Sequence, residues 1–188
     1  MKYDVIIVGA GPGGIFSSYE LTKNDPDLKV AVFEAGNSLE KRKCPIDGKK
    51  VKSCINCATC AIMSGFGGAG AFSDGKYNIT NDFGGTLFEH IGKEEAIDLM
   101  NYVDHINMTH GGEGTKMYST AGTDLKKVCM QNKLKLLDAS VRHLGTDINY
   151  IVLENLYAEL KDKIDFFFRA PVETIEVIDG GYRVHTAD

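Results

Sequence analysis

Over the first 34 residues hydrophobic positions follow a strand, helix, strand rhythm. Residues 3–8 are an almost unbroken apolar, β-branched run, which predicts a parallel strand buried on both faces. A helical pattern over about residues 13–23 follows directly. Residues 29–33 read as the second strand, so residues 1–34 form one βαβ unit. From residue 36 to about 85 the pattern dissolves into Gly, Cys, Lys, Ser and Asn, with no sustained period of 2 or 3.6. Loops of that length are seldom neutral, and this one reads as a functional segment, ordered or disordered.

Regular patterning then resumes. Residues 93–109 predict a helix with Ile97, Met100, Val103, Ile106 and Asn107 on or beside one face, and residues 124–133 predict another. Residues 134–139 are strand-like. Residues 146–160 read as a helix with Ile148, Ile151, Val152 and Leu156 buried and Asp147 favourably placed in the first turn. Three strands follow at 164–168, 172–178 and 182–186, the last two joined by Asp179-Gly180-Gly181. The expected class is α/β, a Rossmann-like FAD/NAD(P)-binding fold with a parallel sheet plus an antiparallel meander. Its dinucleotide-binding domain is expected in residues 1–35 and 134–188, a Cys/Gly-rich cofactor loop in 36–85 and a helical insertion in 86–133.

Composition narrows the function classes. The 188 residues are 43% hydrophobic and 25% charged, ordinary for a globular domain. A net charge of −5 offers no broad grip on nucleic acid or an anionic membrane surface, so any bound anion must be held locally. No apolar run approaches the roughly 18–20 residues that span a bilayer, and residues 1–8 do not make a signal peptide. A cytoplasmic location is expected.

The turn after the first strand holds G-x-G-x-x-G at Gly9, Gly11 and Gly14. Alone the motif is weak, and its bland reading is a glycine-rich turn that only starts a helix. Here it follows a buried strand, opens a helix and precedes Glu34 by 34 − 14 = 20 positions, a combination specific for dinucleotide binding. Gly9 allows the tight turn, Gly11 lets the backbone approach a pyrophosphate, and Gly14 lets helix and strand pack closely. Pro12 costs little at the first helical position, and the helix N-terminus offers free N–H groups to phosphates. Glu34 can accept hydrogen bonds from both ribose hydroxyls and repels a 2′-phosphate, which disfavours NADP. The motif does not choose between FAD and NAD, which share the adenosine pyrophosphate.

The run Asp4-Val5-Ile6-Ile7-Val8-Gly9-Ala10-Gly11-Pro12-Gly13-Gly14 with Val32-Phe33-Glu34 resembles the N-terminus of the glutathione-reductase-like FAD superfamily. Arg42-Lys43-Cys44-Pro45, the Cys54/Cys57/Cys60 triplet, the segment from Gly67 to Lys76 and Arg142-His143-Leu144-Gly145-Thr146-Asp147 are similar to a group of FAD-dependent, NAD(FAD)-utilising dehydrogenases. The resemblance implies FAD extended across the sheet, with pyrophosphate on Gly11, Pro12, Gly13 and Gly14, ribose on Glu34 and adenine beside a strand near Val172. Ala35 and Arg42 join these expected cofactor contacts.

Within the long loop, Gly67, Gly68, Ala69 and Gly70 can align N–H groups towards a phosphate or flavin edge, and Ser73 and Lys76 can add a hydroxyl and a charge. The alternative is a flexible linker, against which Phe66 and Phe72 argue. Cys54, Cys57 and Cys60 with the remote Cys44-Pro45 match the ligand types of a [4Fe–4S] site, although there the Cys-Pro follows the triplet. The same thiolates can hold zinc, act as redox thiols or bind nothing. His143 is a candidate proton donor or acceptor, and Arg142 a candidate partner for a substrate carboxylate or carbonyl. Both are expected in a loop before a helix, where merely capping that loop is the alternative.

The leading expectation is a FAD-dependent oxidoreductase acting on a small-molecule substrate or a reduced electron carrier. The alternatives are an NAD-dependent dehydrogenase and a non-catalytic electron-relay or redox-sensing module. The Ala-Thr-Gly strand and the Gly-Asp motif of related flavoproteins are missing from these 188 residues. The expectation is therefore a fold incomplete at the C-terminus that binds FAD weakly or not at all.

Overall fold

A computed structural model describes residues 1–187. The N-terminal rhythm becomes β1 (Val5–Val8), α1 (Pro12–Asn24) and β2 (Val30–Glu34). The chain continues through β3 (Lys76–Ile79), α2 (Leu87–Ile91), α3 (Lys93–Asn107), β4 (Met117–Ser119) and α4 (Leu125–Gln131). It ends with β5 (Ser140–His143), α5 (Gly145–Leu160), β6 (Asp165–Phe168), β7 (Val172–Ile178) and β8 (Gly181–Thr186). These elements divide into two compact units, one of residues 1–72 with the chain from Leu153 onward, the other Ser73–Val152.

In the first unit β1, β2 and β6 form a parallel sheet in that order, with Val5 opposite Val30 and Ala31 opposite Asp165. The strand buried on both faces is β2, not β1 as the apolar run predicts. β1 has a strand on one side only, which leaves Val8 54% exposed. Phe66 from the long loop is wholly buried and meets Tyr157 of α5 and Phe166 of β6 edge-on, at centroid distances of 5.0 and 5.8 Å. Pairing runs on past β6, where Arg169 N–H donates to Gly36 O and Ala170 N–H to Glu34 O. β7 and β8 form an antiparallel sheet of their own.

The second unit is built on the antiparallel sheet β3-β5-β4, with Arg142 of the central strand opposite both Tyr77 and Met117. The strand predicted at 134–139 forms instead at Ser140–His143, while Leu134 and Leu137 stay exposed. Its partners β3 and β4 are short and carry Lys, Asn and Ser, so neither shows an apolar strand pattern. On α5 the buried stripe is Asn149, Val152, Leu153, Leu156 and Leu160, and Ile151 faces out. No helix among the described residues is long and apolar enough to cross a membrane.

Candidate functional site

The fingerprint turn begins where Gly9, at φ +96°, donates its N–H to Phe33 O at 2.7 Å and so prolongs the β1–β2 ladder by one bond. The chain then bends into α1, whose N-cap is Gly11 and whose first residue is Pro12. A Cβ on Gly14 would collide with the Gly9 carbonyl and lie 3.3 Å from Ile7 Cγ2, so only glycine permits this helix–strand approach. Gly11 and Gly13 are the opposite case, since a Cβ on either would meet nothing within 4 Å. No side chain caps the helix. Its first-turn N–H groups and positive dipole end therefore lie beside bare backbone, an arrangement that suits a pyrophosphate.

Glu34 ends β2 and is 6% exposed. Its Oε2 accepts the Ala10 N–H at 2.7 Å, and its Oε1 accepts those of Gly36 and Gly65 at 2.8 and 2.9 Å. A carboxylate has about four acceptor positions. With three taken by amides, the sequence-based picture of Glu34 holding both ribose hydroxyls requires some of these bonds to be exchanged. Ala35, between buried Glu34 and Gly36, is exposed. Val172 opens β7 opposite Thr186, two residues beyond the Ala170 amide that pairs with Glu34 O.

Arg42 is 5% exposed and lies against the same loop. Its Nε donates to Ala61 O at 2.9 Å, its Nη2 to Ile62 O at 2.7 Å, and its Nη1 to Phe66 O and Gly68 O, each at 2.7 Å. The Phe72 ring lies 4.8 Å away on its face. Burial pulls the Arg42 pKa down, and the charges of Glu34 and Cys60 work against that. Gly67 donates its N–H to Ala10 O at 2.8 Å, and a Cβ on Gly68 would lie 3.2 Å from Gly11 Cα. Gly67 and Gly68 thus sit on the fingerprint turn. Gly68, Ala69 and Gly70 belong to a short 3-10 turn, Gly68–Phe72.

Ser73 and Lys76 fall in the second unit. There Ser73 Oγ accepts the Gly75 N–H at 3.1 Å, and Lys76 pairs with Asp74 at 2.6 Å. Arg142 and His143 lie within β5 rather than in a loop. Arg142 grips Asp104 of α3 through Nε and Nη2 at 3.0 and 2.7 Å and donates from Nη1 to Thr115 O at 2.7 Å. The Asp104 hydrogen bonds raise its pKa. His143 is exposed opposite Lys76 in the β3–β5 register.

The cysteines do not form the expected centre. Cys54 and Cys57 are exposed, Cys44 and Cys60 half-buried, and all are free thiols. Among the described residues no three His, Cys, Asp or Glu side chains come together to hold a metal. The triplet has ligand spacing, but its segment lacks the regular structure that would turn the thiols inward. Neither an iron–sulfur cluster nor zinc fits this arrangement.

The Thi4 family model matches residues 1–40. Thiamine thiazole synthase of Candida albicans (strain SC5314 / ATCC MYA-2876) is 51% identical over 35 residues, 19% of this chain and 10% of that protein. An uncharacterized protein of Clostridium beijerinckii is 26% identical over 152 residues, 80% of this chain and 25% of that one. The chain therefore spans a tenth to a quarter of the length of these relatives. Glycine oxidase from Geobacillus kaustophilus superposes with a TM-score of 0.50 at 16% identity, covering 98% of this chain and 51% of that one. The fold is Rossmann-like. Within it, the high identity is confined to the strand, turn, helix and strand that carry the fingerprint.

The site also contains residues that the sequence pattern does not single out. Ala10, Gly36 and Gly65 supply the amides that Glu34 gathers, and a Cβ on Gly36 would collide with the Gly65 amide. Their one sequence signal is a glycine two positions beyond the acidic end of β2. In the second unit, apart from that turn, the Arg142 partner Asp104 has a clearer signal, a carboxylate on the buried side of α3 beside Met100 and Asn107.

Proposed function

We propose that this chain carries the dinucleotide seat of a FAD-dependent oxidoreductase of the dehydrogenase type. The observation that carries the reading is the uncapped start of α1, open over Gly11 and Gly13 and closed at Gly14. Uncapped helix N-termini hold phosphates through backbone N–H groups, and the open glycines admit a pyrophosphate without a side chain in its way. The resemblance of the longer segments to FAD-dependent dehydrogenases supports FAD over NAD. Glycine oxidase, an oxidase by name, shares the fold.

FAD would supply the hydride or electron transfer, with a small-molecule substrate or a reduced carrier as the other reactant. Gly11, Pro12, Gly13 and Gly14 would seat the pyrophosphate, and Glu34 would meet the ribose with its remaining acceptor position. Exposed His143 stays the candidate for moving a proton, whereas the Arg142 guanidinium is engaged by Asp104. The test is a fluorescence titration of the chain with FAD, followed by competition with ADP and with NAD. Weak, saturable FAD binding displaced by ADP is expected. Binding of NAD without FAD would move the reading to a nicotinamide dehydrogenase, and no binding of any of the three would overturn it.

A further inference from the structure

We propose that Arg42 is the positioning residue of the dinucleotide seat, clamping the glycine loop onto the fingerprint turn through backbone carbonyls. The Gly65, Phe66 and Gly67 N–H groups, bonded to Glu34, Asn37 O and Ala10 O, and the buried Phe66 ring also tie this loop down. Carbonyl oxygens of Ala61, Ile62, Phe66 and Gly68 converge on one guanidinium, an arrangement of like dipole ends that a buried cation stabilises. Four bonds in one planar fork suit a guanidinium, whereas a lysine ammonium offers three donors from a single atom.

With four of its five N–H groups so engaged and the side chain 5% exposed, the guanidinium acts on a nucleotide through the loop and not by gripping a phosphate. Glu34 does the complementary work, collecting amides where Arg42 collects carbonyls. Gly65 links the two. Its N–H goes to Glu34, and a Cβ on it would press on Arg42 Cδ at 2.6 Å. The loop reaches the seat through the Gly67 N–H on Ala10 O and through Gly68 against Gly11 Cα. Shifting the loop therefore moves the wall beside the open glycine.

The proposal rests on the dinucleotide reading, so two measurements on the full chain separate them. Hydrogen exchange without nucleotide reports the clamp itself. In Arg42→Lys the Gly65 and Gly67 amides should lose about tenfold or more of their protection, while β2 amides keep theirs. In FAD titrations Arg42→Lys and Arg42→Gln should both weaken binding about tenfold or more. Unchanged exchange in Arg42→Lys would overturn the clamp. Wild-type affinity in Arg42→Lys with loss in Arg42→Gln would overturn it too, since charge alone would then suffice. A wild-type chain that binds none of FAD, ADP and NAD sinks the dinucleotide reading, and the exchange data still decide whether Arg42 fixes the loop.

Discussion

Gly11 and Gly14 are three positions apart in one motif and have opposite reasons to be glycine. At Gly14 the limit is space, because a Cβ would run into the Gly9 carbonyl and crowd Ile7. Gly14→Ala should lower stability by about 1–3 kcal/mol, the usual cost of overpacking a site that cannot yield, read from the midpoint of a urea melt. At Gly11 a Cβ meets nothing, and the residue's φ of −74° and ψ of −177° suit any amino acid. Gly11→Ala should leave stability within about 0.5 kcal/mol of wild type. It should nevertheless weaken FAD binding, because the methyl group would enter the space a pyrophosphate needs. Equal melts with equal FAD affinity for Gly11→Ala would show that the open face is not used.

Elements of this chain formed where the sequence expected them when their cause was local. The β1, α1, β2 rhythm was legible because apolar runs, a glycine turn and a helical period lie within 34 residues. β3 and β4 were not, because short polar strands exist only by pairing with β5. The Arg42 clamp was equally hidden, since its acceptors are backbone carbonyls 19 to 26 residues ahead, and no side-chain pattern encodes them. The cysteine spacing was plain to read but misleading, because spacing supplies ligands and only a fold can converge them. The turn before the triplet is an element of a different kind, closed by the Asp47 and Gly48 N–H groups on Val51 O and gathered by one carboxylate. Asp47 Oδ1 accepts the N–H groups of Lys49, Lys50 and Val51 at 2.8, 2.8 and 2.9 Å. The amides of Val51 and Lys49, then that of Lys50, lower its pKa. A carboxyl whose folded pKa lies below its unfolded one stabilises the turn above the unfolded value, and that contribution is lost as pH falls through the folded one. The amide resonances of residues 49–51 should therefore hold steady from neutrality down to about pH 4 and move together only below it. A transition near neutrality would mean that another group holds the turn.

At the scale of the whole molecule, the proposed seat would hold a doubly negative pyrophosphate in a protein whose own net charge is −5. Two designs can reconcile these signs. Basic side chains can gather at the site, or backbone N–H groups and a helix dipole can hold the anion at short range. The backbone around α1 suits the second design. Arg42 is turned onto carbonyls, and the first turn of α1 is open backbone. The two designs respond differently to salt. A cluster of exposed lysines loses its grip as the Debye length shrinks from about 14 Å at 50 mM to about 4 Å at 500 mM, whereas short hydrogen bonds from fixed amides are little affected. Salt also screens the repulsion between an acidic protein and an anionic ligand. FAD affinity should accordingly stay level or rise slightly between those two concentrations. A steep fall would place basic side chains, such as Lys41 and Lys43 on either side of Arg42 in sequence, at the pyrophosphate instead of the helix N-terminus.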